Sequence, residues 1–240
     1  MVLSVVTTLL LVVMFVVIVS QYHYYGVMGW CLVKTACLMP RRGDRLTTFY
    51  RLLYSEVDRR TGIQHIGTPP CRGDPPCLFL VNHDPTMFLH PNCFPLNHHE
   101  ARIVIYELVH YHPVLRWVLN DEIVIDKRKE HRTRQLLTEQ EIVKTIRSGR
   151  SVVVHVEGDI SVSPHELQPF KKTYFDIANR HDLTVRPFVV TAKGGRLDPF
   201  VYRNAARLQV HWLEPRKIST PVVDAMAVCH TEMSAAVQSS

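Results

Sequence analysis

From residue 77 onward, short apolar runs alternate with stretches of helical spacing. The runs are Cys77–Val81, Arg102–Tyr106, Glu122–Ile125, Ser151–Val156, Val185–Thr191 and Leu208–Leu213. Apolar runs of this length, bounded by turn formers, are the pattern of strands buried on both faces of a parallel sheet. Between them, Thr133–Arg147 and Phe170–His181 repeat their apolar residues with the period of a helix. Strands alternating with helices predict an α/β fold, a mostly parallel sheet sandwiched by helices. Residues 62–76 are rich in Gly, Pro and turn formers and predict a loop. From Ile218 on the patterning is weak and the chain runs out in small polar residues, so a tail is expected there.

A different pattern precedes this body. Residues 2–20 carry no charge, and ~20 apolar residues are what a helix needs to cross a bilayer. A cleaved leader would begin with Lys or Arg and end at a small-residue cleavage site. Here the start has neither, and Gln21-Tyr22-His23-Tyr24-Tyr25 follows, as in an aromatic belt at a membrane interface. The segment is read as a retained anchor. Gly26–Pro40 is apolar but short and interrupted, which fits a re-entrant or interfacial segment. Arg41, Arg42, Arg45 and Arg51 come next, and the positive-inside rule puts the body on the cytosolic side of its membrane. Endoplasmic reticulum or another intracellular membrane is expected. Arg45–Arg60 mixes arginines with apolar residues at loosely helical spacing; it fits a helix lying on an anionic membrane or one packed on the domain. The expected division is an anchor region over 1–40, a folded domain over 41–217 and a tail over 218–240.

The 240 residues suffice for one domain with an anchor. A formal charge of +6 favours acidic partners: phosphates, anionic lipid surfaces or nucleic acid. The six cysteines form no Cys-x-x-Cys pair, and a disulfide framework belongs to small secreted domains. They are read as mostly reduced, buried thiols.

Candidate chemistry begins where Leu78-Phe79-Leu80-Val81 stops at Asn82-His83-Asp84-Pro85. A strand end that delivers a histidine into a loop is a place for a general base. Three further pieces follow in order. Glu122-Ile-Val-Ile-Asp126-Lys127-Arg128 ends a strand in acid and base. Val154-His155-Val156-Glu157-Gly158-Asp159 ends an apolar strand at Glu-Gly. Val185-Arg186-Pro187-Phe188-Val189-Val190 comes after Pro169-Phe170-Lys171-Lys172. In order and spacing these resemble the four motifs of the glycerophospholipid acyltransferase superfamily, typified by lysophosphatidic acid acyltransferase, over about residues 77–192.

The resemblance implies a membrane-bound enzyme that moves an acyl group from acyl-CoA to a lysophospholipid, in phospholipid synthesis or remodelling. It implies His83 as the base and Lys127 with Arg128 as the clamp on the acceptor's phosphate, with Glu157 and Gly158 shaping the acceptor site. Acyl-CoA is then a co-substrate, and neither a cofactor nor a metal is expected. Two departures stand out. The aspartate that would orient the histidine falls at Phe88, leaving Asp84 as the nearest substitute, and Glu157-Gly158-Asp159-Ile160-Ser161 lacks the motif's Thr-Arg pair. A protein on this fold that binds lipid or acyl-CoA without turnover is the alternative. His83, His90, His98, His99, His110 and His112 with Cys93 match no common zinc spacing. The basic run Lys127-Arg128-Lys129 lacks the interleaved aromatics of a nucleic-acid module.

Overall fold

The computed structural model describes residues 48, 51–52, 54–55, 58–59, 62–71, 73–82, 100–106, 122–126, 128–158, 166–193 and 207–239. Within them the strands are β1 (Gln64–Ile66), β2 (Leu78–Val81), β3 (Ala101–Tyr106), β4 (Ile123–Ile125), β5 (Ser151–His155), β6 (Thr184–Lys193), β7 (Arg207–Trp212) and β8 (Arg216–Lys217). The helices are α1 (His131–Arg147), α2 (Lys172–Arg180) and α3 (Val222–Gln238). One sheet joins the strands in the order β1-β7-β6-β2-β5-β3-β4, with β8 also on β6. β2 runs parallel to both neighbours, with Val81 opposite His155 of β5 on one side and Phe188 of β6 on the other. The β3–β5 and β3–β4 pairs are also parallel, whereas β7 and β8 meet β6 antiparallel.

The six expected strands are all present, and their composition explains their place. Leu78, Phe79, Leu80 and Val81 are fully buried, as are Val152, Val153 and Val154. Such runs have no polar face to show solvent, so they take central positions covered by helices. Phe79, Phe175 and Phe188, each fully buried, contribute ~1.5–3 kcal/mol apiece relative to exposure. α1 buries Ile142 and Val143, and α2 buries Tyr174, Phe175, Ile177 and Ala178.

Two expectations are corrected. The Gly- and Pro-rich stretch read wholly as a loop contains the edge strand β1, which pairs with β7. The expected tail over 218–240 contains α3, a helix of 17 residues whose Cys229 and Met233 are fully buried. Its outward face carries Val223 and Val228, so apolar residues fall on both sides and the helical contrast in the sequence is weak.

Residues 48, 51–52, 54–55 and 58–59 of the Arg45–Arg60 segment are helical. Tyr54 there joins the domain through a 3.0 Å hydrogen bond between its hydroxyl and His65 Nε2. Among the described residues no helix is long and apolar enough to cross a membrane. The expected anchor over 2–20 lies outside them.

Candidate active site

In a parallel sheet, ligand sites form beyond the carboxyl ends of the strands, where connections leave in opposite directions. Here that point lies between β2, whose chain passes on to β3, and β5, whose chain passes back to β6. The end of β2 is fastened by Asn82, a buried side chain whose Nδ2 donates to Val190 O at 3.1 Å and whose Oδ1 accepts from Val190 N at 2.9 Å. The amide thus satisfies both backbone groups of one β6 residue, as a strand would. This fixes the backbone one position before His83. His83 and Asp84 lie outside the described residues, as does Lys127.

Beside it, β5 carries on past His155. Val156 N donates to Val81 O at 3.1 Å, and Gly158 N then donates to His155 O at 3.2 Å, closing a turn. Glu157 is 2% exposed, and its Oε2 accepts from Gln168 N at 2.7 Å. The carboxylate therefore ties the turn to the segment that leads into α2. Gly158 adopts φ +71, and a Cβ there would lie 2.6 Å from Lys171 Cε and 2.8 Å from Cγ. Only glycine fits both the left-handed backbone and that approach. Lys171 is itself held by its own N–H, which donates to Val156 O at 2.7 Å.

Arg128 follows β4 at the same edge of the sheet. Ile125 is level with Tyr106, which continues the β3 register beyond Ile103 opposite Val153. β3 separates β4 from β5, and at ~4.8 Å per strand the two are roughly 10 Å apart. Arg128 bends back on Asp126: its backbone N donates to Asp126 Oδ1 at 3.0 Å and its Nε to the same oxygen at 3.3 Å. So the described site residues divide. Asn82, Glu157 and Gly158 adjoin, and Arg128 stands two strands away.

Lys171 and the clamp formed by Asn82 were not legible as site features. Asn82 reaches a residue 108 positions away, and no local spacing announces that bond. Lys171 lies in the run Phe170-Lys171-Lys172, but its approach to Gly158 needs the turn after β5.

Burial governs the titrating groups near the core. It lowers His211 and His65, the latter despite the Asp58 charge, and pushes the Cys77 thiol up to about 12. His65 accepts from Trp212 Nε1 at Nδ1 over 2.9 Å, which leaves Nε2 to carry the proton toward Tyr54. Among the described residues no three His, Cys, Asp or Glu side chains group as a metal site.

Residues 56–191 match the acyltransferase family, more than half of the chain. The chain belongs to that family. The superfamily that its four motifs resemble is thus the one to which this acyltransferase is assigned. A similar fold is found in the 1-acyl-sn-glycerophosphate (LPA) acyltransferase PlsC from Thermotoga maritima. That structure matches at a TM-score of 0.65 and 16% identity, over 96% of this chain and 95% of that one. No curated protein matches the acyltransferase.

Proposed function

We propose that this acyltransferase moves an acyl group from acyl-CoA to a lysophospholipid, lysophosphatidic acid or a related acidic acceptor, at a membrane. The observation that supports it is the junction at the sheet's carboxyl edge. Asn82 fastens the end of β2 directly before His83, and the Glu157-Gly158 turn leaves β5 beside it. In the proposed reaction His83 takes the proton of the acceptor hydroxyl. The freed oxygen attacks the thioester carbonyl, and the carbon–sulfur bond breaks. The coenzyme thiolate leaves and recovers the proton from the imidazolium. Asp84 stands next to His83 in sequence and steadies its charge.

Lys127 and Arg128 hold the acceptor's phosphate. The Arg128 side chain is 72% exposed. A guanidinium presents a planar fork of N–H donors that matches the oxygens of a phosphate.

The test is acyl transfer from labelled acyl-CoA to a panel of lysophospholipids, in detergent, with wild type and His83→Ala. Transfer that vanishes in the variant supports the reading. A folded wild type that transfers to no acceptor overturns it. That outcome favours the non-catalytic binding protein, for which Phe88 in place of the orienting aspartate is the specific ground.

A further inference from the structure

We infer that Lys171 is a further cation for the acceptor's phosphate, beside Lys127 and Arg128, and so sets the preference for phosphorylated over neutral acceptors. The inference rests on the acyl-transfer reading for its choice of ligand, and on geometry for its choice of residue. Lys171 lies at the carboxyl edge of the sheet. Its aliphatic stem crosses Gly158, and its own N–H is bonded to Val156 O. Val156 in turn donates to Val81, the last residue of β2. Two hydrogen bonds therefore connect this lysine to the strand that leads into His83.

The adjacent Lys172 pairs with Asp176 at 3.4 Å. Among the described residues the Lys171 ammonium forms neither an ion pair nor a hydrogen bond. It also stands in an unfavourable place. Lys171 precedes the first residue of α2, whose opening turn has no acidic side chain and no side-chain cap. Positive charge at that end of a helix opposes the helix dipole. An incoming anion would relieve the repulsion and meet the dipole and the ammonium together.

The stem is also partly ordered in advance. Lys171 is exposed, but because Gly158 has no Cβ its methylenes lie along the turn. This lowers the entropic cost of using a lysine as a phosphate donor. A phosphate oxyanion at this point has two possible sources, the acceptor's headgroup or the coenzyme of the donor. The link to β2 favours the acceptor, whose hydroxyl must reach His83.

The experiment measures binding of lysophosphatidate and of a monoacylglycerol with the same chain, in one detergent. Wild type, Lys171→Ala, Lys171→Arg and Lys172→Ala are compared, alongside acceptor and acyl-CoA KM values. Lys171→Ala should weaken lysophosphatidate binding about tenfold, the scale of one charge-assisted bond, and leave monoacylglycerol unchanged. Lys171→Arg should retain most of the affinity, and Lys172→Ala all of it. Equal loss for both lipids, no loss for either, or a rise confined to the acyl-CoA KM would overturn the inference. A wild type that binds lysophosphatidate through Lys171 but transfers no acyl group defeats the proposed reaction alone. An active wild type whose acceptor KM ignores Lys171 defeats this inference alone.

Discussion

Asn82 and Val190 form a two-bond clasp between the end of β2 and the middle of β6, with distances of 3.1 Å and 2.9 Å. Replacing the amide by a methyl group leaves a buried N–H and a buried C=O without this partner, at ~1–3 kcal/mol each. Asn82→Ala should therefore lose about 3 kcal/mol in urea unfolding, with the m-value retained. Asn82→Asp should fare no better, because a carboxylate can accept from Val190 N but repels Val190 O. Unchanged stability in both variants would mean that the clasp does not hold the strand end.

Gly158 and Lys171 should be coupled. A side chain at φ +71 costs ~1–2 kcal/mol by itself, and the Cβ must also displace the lysine stem. Gly158→Ala should be destabilising by about 2 kcal/mol, while Gly158→Ala in a Lys171→Ala background should cost measurably less. A double-mutant cycle in chemical denaturation reads the difference, and strict additivity would refute the contact.

Glu139 supplies a pH-dependent link between α1 and the end of α2. Burial alone would raise its pKa, but hydrogen bonds from His181 at 2.7 Å and Arg180 at 2.6 Å outweigh it and hold the carboxyl below the usual range. A depressed folded-state pKa means that the stabilisation is fully present above the unfolded value of about 4.3. It is lost as pH falls through the folded value. Melting curves of wild type and Glu139→Gln should accordingly differ most at neutral pH and converge under acid. A gap that widens on acidification would reverse the assignment.

The three described thiols should divide by burial. Cys71 is exposed, whereas Cys77 and Cys229 are buried and burial pushes both up to about 12. Native-state alkylation at neutral pH, followed by peptide mass spectrometry, should label Cys71 and spare the other two until denaturant is added. Rapid labelling of Cys229 in the native protein would show that α3 opens from the sheet.

The sheet was readable from sequence because strands buried on both faces have no choice of residue. Ser151–Val156 could hardly be anything else. Short edge strands have no such signature: Gln64-His65-Ile66 has one partly covered residue between two exposed ones, and its pairing with β7 was invisible. α3 was missed for the opposite reason, since its outer valines erase the contrast that marks an amphipathic face. In the candidate site, Glu157-Gly158 announced itself as the abrupt end of an apolar run. The reach of Arg128 back to Asp126 depends on the turn after β4, and the clasp by Asn82 on a sheet order that sequence spacing does not specify.

The central placement of β2 has a consequence for how the protein is made. Leu78–Val81 pairs only with strands that begin at Ser151 and Thr184. At ~5–20 residues per second, synthesis from one partner to the other leaves this wholly apolar segment unpaired for several seconds or longer. The strand that leads into the candidate site is thus translated early and completed late. Cellular yield should depend on chaperone capacity during that interval, and substitutions that weaken the β2–β6 seam should reduce the amount of soluble protein before they reduce the activity of the molecules that fold.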